Sequence, residues 1–286
     1  MYLVDYFKLL SSRNIFKTLT YKYITLFFLL FSLNTVNAQS TVSEQVTCIS
    51  ISAPQLDTLK TIWLYLPKDY HDSKLRYPVI YMHDAQNVFN TKTAFSGEWQ
   101  VDEYLDSLNI NQSIIVGIEH GNEKRIEELT PYPHKTYGGG KGDVYLNFIK
   151  NTLKPHIDVS YRTKADAEHT TLFGSSLGGL LSFYGAIKYP DTFGKAGVFS
   201  PAFWINPEIF DFVKTTFISK DSKFYFLAGT NEGETMIPKL EEMLRLLRSK
   251  GVKESQIESR IIDGGEHNET FWAQHFGTAY LWLYTP

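Results

Sequence analysis

The stretch His169-Thr-Thr-Leu-Phe-Gly-Ser-Ser-Leu-Gly-Gly179 decides the fold. It contains Gly174-Ser-Ser-Leu-Gly178, a G-x-S-x-G pentapeptide. This pattern suits a strand that reverses into a helix in almost no space, with Ser176 at the apex in a strained conformation. Gly174 and Gly178 lack Cβ, so strand and helix can pass closely on either side of the turn. The context fits. Thr170 to Phe173 is β-branched and aromatic, and Leu177 to Tyr189 is an apolar helical run that stops before Pro190. A turn of this kind exposes the Ser176 hydroxyl and aims the first amides of the following helix at one point, where a developing oxyanion is favoured.

Around this stretch, strands and helices alternate. Two early strands, Thr41 to Ser52 and Leu56 to Leu66, flank Ala53-Pro54 and read as antiparallel. Compact apolar strands follow at Pro78 to Met82, Ser113 to Ile118, Ala196 to Ser200, Lys223 to Ala228 and Gln256 to Ile262. Helices are expected over 99–108, 143–153 (closed by Pro155), 235–250 and 269–284, with a long polar segment over 125–137. The fold class is therefore α/β, a mostly parallel sheet with helices on both faces.

The chain has 286 residues, 43% hydrophobic and 15% aromatic, enough for one sizeable core. Its net charge is −3 and it has no basic run, which argues against a nucleic-acid partner. The single cysteine, Cys48, allows no internal disulfide and reads as a small apolar strand residue. Residues 1–38 read as a secretory signal peptide: Lys8, Arg13, Lys17 and Lys22 precede a short apolar run from Ile24 to Leu33, and Val36-Asn-Ala38 supplies a cleavage site. The apolar run is too short to serve as a comfortable membrane anchor. Residues 1–38 carry four positive charges and one negative, so the mature domain, 39–286, has net charge −6. Secretion into the periplasm or medium is the expectation.

A serine hydroxyl needs a base to take its proton, and the base needs a third group to hold its tautomer. In sheets of this kind the chain order is Ser, acid, His, each at a strand end. His267 follows the last strand in a Gly-rich loop. Glu232 follows Ala228-Gly-Thr-Asn231, with Glu234 and Asp263 as alternatives. The amide after the nucleophile, that of Leu177, and one from the loop after Pro78 to Met82, that of Ala85 or its neighbour Gln86, would form the oxyanion hole. Trp99, Phe203 and Trp204 stand where they could wall a pocket, although core packing suits Trp99 equally. His83, Asp84, Glu119 and His120 lie at neighbouring strand ends but lack a metal-ligand spacing, so hydrogen bonding is the better reading and no metal is expected.

Several motifs together resemble the esterase D-like "putative esterase" family of α/β-hydrolases, which includes feruloyl and acetyl xylan esterases, siderophore esterases and S-formylglutathione hydrolases. They are His83-Asp-Ala-Gln-Asn-Val-Phe89, Gly97-Glu-Trp-Gln-Val-Asp102, Arg125 with Thr130-Pro131, Leu153-Lys-Pro-His-Ile-Asp158, Gly174 to Gly179, Ser200-Pro-Ala-Phe-Trp204, Gly229-Thr-Asn-Glu232 and Gly265-Glu-His267. The resemblance covers residues 45 to 284. It implies Ser176 as nucleophile, His267 as base and Glu232 as acid, without a cofactor. Many members carry Asp at the acid position, and Gly where this chain has Asp84. The implied activity is a secreted carboxylic-ester hydrolase acting on a small-molecule or saccharide ester. The expected substrate is a carbohydrate-linked acyl or feruloyl ester, with a siderophore ester or an inactive hydrolase-like binding protein as the alternatives. A siderophore would call for basic groups near the pocket, with Arg125 and Lys141 as the candidates.

Overall fold

A computed structural model describes residues 40–108 and 112–284, so the expected signal peptide lies outside the described residues. Ten strands are described: β1 (Val46–Ala53), β2 (Thr58–Tyr65), β3 (Val79–His83), β4 (Ile114–Ile118), the two-residue β5 (Pro133–His134) and β6 (Gly138–Gly139), β7 (Thr170–Ser175), β8 (Lys195–Phe199), β9 (Lys223–Gly229) and β10 (Ile257–Ile262). Eight of them form one sheet in the order β1-β2-β4-β3-β7-β8-β9-β10. β2 is antiparallel to both of its neighbours, and all pairings from β4 to β10 are parallel. The antiparallel reading of the first two strands therefore holds, and the reversal extends to the β2–β4 junction.

The helices are α1 (Val101–Ser107), α2 (Arg125–Leu129), α3 (Gly142–Phe148), α4 (Lys154–Ser160), α5 (Leu177–Lys188), α6 (Glu208–Thr215), α7 (Met236–Ser249) and α8 (Glu269–Tyr284). Successive strand residues point to opposite faces, and here both faces are apolar. Tyr81, Leu172, Val198 and Phe226 pack with Leu180, Phe183, Ile209 and Met243 of α5, α6 and α7 on one side. Met82, Phe173, Phe199 and Leu227 pack with Val101, Leu105, Trp272 and Phe276 of α1 and α8 on the other. Burial on both faces explains why the central strands read as unbroken apolar runs.

Three features depart from the sequence reading. Pro155 does not close the helix begun near residue 143. The chain passes from α3 through a π turn (Ile149–Leu153) into α4, with Pro155 in the first turn of α4. There its missing N–H and its ring are tolerated, because the π turn widens the ladder before it. The polar segment 125–137 is not irregular throughout: it holds α2 and the first strand of the β5–β6 ribbon. The sequence reading also passes over α6, whose apolar Ile209, Phe210 and Val213 bury one side. Cys48 does sit on β1, but on its exposed side. No helix among the described residues is long and apolar enough to cross a membrane.

Candidate active site

All the candidate catalytic residues follow parallel strands, whose C-terminal ends meet at one edge of the sheet. Ser176 lies between β7 and α5 with φ 56° and ψ −118°. That conformation is strained for a residue with a side chain. Two bonds from the β8 side hold it: Ser176 N–H donates to the Phe199 carbonyl at 2.9 Å, and Ala202 N–H donates to the Ser176 carbonyl at 3.0 Å. A Cβ at Gly174 would lie 2.9 Å from the backbone of Gly178, so the elbow closes only with glycine there. Leu177 opens α5, where an N–H has no intrahelical acceptor.

His267 Nδ1 lies 2.8 Å from Glu232 Oε2. The carboxylate can only accept, so Nδ1 carries the proton and Nε2 is left basic. The Glu232 side chain is fully buried. Its other oxygen, Oε1, accepts from Ser200 Oγ at 2.8 Å and from Gly229 N–H at 2.6 Å. Trp272 Nε1 donates to Ser200 Oγ at 2.8 Å, and its ring stands edge-on to the His267 ring at 5.0 Å. Glu234 is exposed. Asp263 accepts from Thr230 Oγ1 at 3.1 Å. Of the three candidate acids, the structure brings Glu232 to the histidine. No hydrogen bond joins Ser176 Oγ to His267 among the described residues; such bonds are commonly long before substrate binds.

The acid and histidine loops are laced together. Thr230 N–H donates to the Ile262 carbonyl at 3.0 Å and Asn231 N–H to the Gly265 carbonyl at 2.9 Å. These bonds extend the β9–β10 pairing past the strand ends. A Cβ on Gly229 would lie 2.2 Å from the carbonyl carbon and oxygen of Gly265, so this approach depends on glycine. Beyond His267, Asn268 Oδ1 accepts from Phe271 N–H at 2.9 Å and caps α8.

On the far side of Ser176, the loop after β3 rests on the first turn of α5. A Cβ on Gly178 would lie 3.2 Å from His83 Cβ and 3.6 Å from Asp84 Oδ2. Asp84 has φ 58°, in the left-handed region, where glycine is the easiest residue and aspartate is tolerated. Arg125 holds it with two charge-assisted bonds. Burial pushes the Asp84 carboxyl up, but the Arg125 charge and its hydrogen bonds, with His120 and His83 nearby, leave it below the ordinary range. Ala85, buried, begins the short turn Ala85–Asn87 that follows.

His83, Asp84, Glu119 and His120, at neighbouring strand ends, each have a polar partner in the protein. His83 Nδ1 meets Tyr145 OH at 3.2 Å, and Asp84 pairs with Arg125. Glu119 Oε1 accepts from Trp63 Nε1 at 2.8 Å, and His120 Nδ1 accepts from Asn122 N–H at 2.9 Å. Two pocket expectations need correction. Trp99 is buried among Phe173, Phe199, Trp272 and Phe276. Phe203 is buried against Phe183 and Phe210. Both are core side chains, because their loops turn them inward onto the sheet. Trp204 is exposed, and its ring meets that of exposed Tyr137 edge-on at 6.2 Å, with His134 stacked on Tyr137 at 4.8 Å.

The family model "Putative esterase" matches residues 53–283. The chain belongs to this esterase family. A Bacillus subtilis protein, the uncharacterized YbbA, is 27% identical over 77% of this chain and 91% of its own length. The siderophore triacetylfusarinine C esterase of Aspergillus fumigatus is 26% identical over 65% of this chain and 66% of its own. A solved ferulic acid esterase superposes with a TM-score of 0.65 at 18% identity, covering 84% of this esterase and 97% of that chain. The sheet order and flanking helices of this esterase are those of an α/β-hydrolase fold. Sequence reasoning missed Ser200 and Gly229 as the groups that fix the Glu232 carboxylate. Ser200 was visible only as the first residue of a loop motif, with no sign of what it would bond.

Proposed function

We propose that the esterase is a secreted serine hydrolase that cleaves uncharged aromatic acyl esters, of the feruloyl kind, carried on a carbohydrate. His267 Nε2 takes the Ser176 proton as Oγ attacks the ester carbonyl. The amides of Leu177 and Ala85 hold the oxyanion, and Glu232 stabilises the imidazolium that forms. His267 then protonates the leaving alcohol. Water, activated by the same base, releases the acid from the acyl-enzyme.

The substrate class is carried by the exposed Trp204–Tyr137 ring pair; Trp204 follows by two residues Ala202, the donor to the Ser176 carbonyl. Exposed rings are good stacking surfaces for a planar acyl group or a sugar ring. Local charge supports a neutral ester over a ferric catecholate, which is anionic. Arg125 is occupied by Asp84, and Lys141 Nζ is bound to Glu127 at 2.6 Å. A siderophore ester is the second reading, favoured by the relative from Aspergillus fumigatus. Export rests on the leader read in residues 1–38, and sequencing of protein from the culture supernatant should begin at Gln39.

The test compares the purified protein with Ser176→Ala and Trp204→Ala on methyl ferulate, p-nitrophenyl acetate and a catecholate trilactone. Turnover should vanish in Ser176→Ala. Trp204→Ala should raise KM for methyl ferulate about tenfold, as for the loss of one good ring contact, and leave the acetate unchanged. A trilactone preferred over ferulate by the parent protein would reverse the substrate assignment. No turnover of any ester would favour a binding protein.

A further inference from the structure

Away from Ser176, three carboxylates crowd together at the start of α1. Glu98 precedes the helix, and Asp102 and Glu103 lie in its first turn. One carboxylate oxygen from each lies within 4.8 Å of those of the other two. Glu98 is 8% exposed and Asp102 fully buried. Glu98 Oε1, Asp102 Oδ1 and Glu103 Oε2 are buried with no donor group on them, and the Asp102 and Glu103 carboxyls lie within hydrogen-bonding reach of each other. The opposite oxygens are engaged. Glu98 Oε2 accepts from Thr41 Oγ1 at 2.7 Å and Thr91 Oγ1 at 2.6 Å, and Asp102 Oδ2 accepts from Ser43 N–H at 2.8 Å. Among the described residues, no lysine or arginine forms an ion pair with any of the three.

A buried acceptor without a donor is costly, and like charges at this spacing repel. A proton shared between Asp102 and Glu103 would relieve one contact. It would leave Glu98 Oε1 unsatisfied and two negative charges together. A cation held among the three carboxylates would offset that charge as a whole. Coordination habit selects the ion. Ca2+ accepts an irregular set of carboxylate oxygens, whereas Mg2+ demands near-ideal octahedral geometry and keeps several of its waters. Three carboxylates fixed by their own packing therefore suit calcium better. The ligands are hard oxygens, as calcium requires, and Glu103 is only half-buried, which leaves a side for water ligands and for entry.

We propose that Glu98, Asp102 and Glu103 form a structural Ca2+ site that clamps the 41–43 segment and the 90–98 loop onto α1. The site is joined to the loop after β3 through the backbone. Its loop continues into Trp99, whose N–H donates to the Asn87 carbonyl at 2.8 Å, in the turn that begins with Ala85. It does not depend on the esterase reading, since the clamp is a matter of stability.

The test is thermal unfolding of the full chain, stripped with chelator and then titrated with CaCl2 or MgCl2 at pH 7.5 and constant ionic strength. Calcium should raise Tm saturably, by about 5–10 °C at a hundredfold excess over its Kd, and magnesium by much less. Terbium luminescence displaced by calcium gives an independent readout. Glu103→Gln, a partly exposed isosteric change, should abolish both responses. Asp166→Asn should leave them intact, although it alters the exposed Asp166, Glu168 and His169 group, which also has cation-like spacing. A Tm that ignores calcium in the parent protein overturns the proposal. So does a calcium response that survives Glu103→Gln and is lost in Asp166→Asn. A stripped Glu103→Gln protein more stable than its parent, with no calcium effect in either, would mean the cluster holds only a proton.

Discussion

The guanidinium of Arg125 grips both oxygens of the Asp84 carboxylate, Nε to Oδ1 and Nη2 to Oδ2, each at 2.8 Å. The pair explains how an aspartate occupies a left-handed position beside the proposed oxyanion hole. Unpaired, its charge would oppose the negative oxygen of the tetrahedral intermediate.

Arg125→Gln should therefore lower kcat/KM. At an effective dielectric near 20, a bare charge about 5 Å away costs up to about 3 kcal/mol, so the expected loss is about 10–100-fold. Asp84→Gly combined with Arg125→Gln should recover most of it, since the offending charge is gone and glycine accepts the backbone. Kinetics of the two variants on p-nitrophenyl acetate decide the matter. A single variant within twofold of the parent would show that solvent already screens Asp84.

Glu232 is held by three donors, from His267, Ser200 and Gly229. Glu232→Gln keeps the shape, but two donors hold the Oε1 position for an oxygen, so the NH2 is turned onto the Nδ1–H of His267. The His267 ring then loses its tautomer and the imidazolium its counter-charge, so kcat should fall about 10³–10⁴-fold. Glu234→Gln, at an exposed site, should stay within twofold. The reverse ranking would move the acid to Glu234.

Gly229 and Gly265 let the acid and histidine loops touch. Gly229→Ala would place a methyl 2.2 Å from the Gly265 carbonyl. The loops must part, which costs about 1–3 kcal/mol of overpacking, or about 2–10 °C in Tm, and moves Glu232 away from His267. Activity should drop more than tenfold. Gly233→Ala, with φ 91° but no neighbour within 4 Å, is the control: it strains the backbone yet leaves the contact, so it should cost stability with little loss of activity. Equal activity losses in both variants would remove loop contact as the cause.

How far the site was legible follows from how local its causes are. Ser176 could be read because strand, turn and helix are consecutive and the glycines that permit the turn are within two residues. His267 and Glu232 could be read from strand ends. The longer glutamate arm became intelligible only with the bonds to Ser200 and Gly229, the first of which joins residues 32 apart in sequence. The role of Arg125 was hidden for the same reason, its partner being 41 residues away. Trp99 and Phe203 show the opposite failure. An aromatic side chain at a strand end suits a pocket wall and a core equally, and only the neighbours on the sheet decide. Two of the three clustered carboxylates, Glu98 and Asp102, stand in Gly97-Glu-Trp-Gln-Val-Asp102 and Glu103 follows directly, yet nothing in that string announces that they converge.

His83 sets the last expectation, a response to acid. Burial lowers its pKa from 6.5 to about 4, with Asp84 raising it and Arg125 lowering it by smaller amounts. Tyr145 OH is the polar group on its ring, and Nε2 has no partner. Between about pH 6.5 and 4 the unfolded chain binds a proton that the folded chain refuses, so stability rises with pH across that window and is complete above it. The loss on acidification is at most about 3 kcal/mol from this group. His83→Gln keeps a polar side chain but cannot titrate. Urea unfolding at pH 7.0, 5.5 and 4.5 should give a flatter dependence for the variant by about 2–3 kcal/mol. Some slope should persist from His120 and His275, which burial also lowers. Parallel pH curves for parent and variant would mean that His83 takes up its proton in the folded state, against the apolar surroundings that β3 and α5 provide.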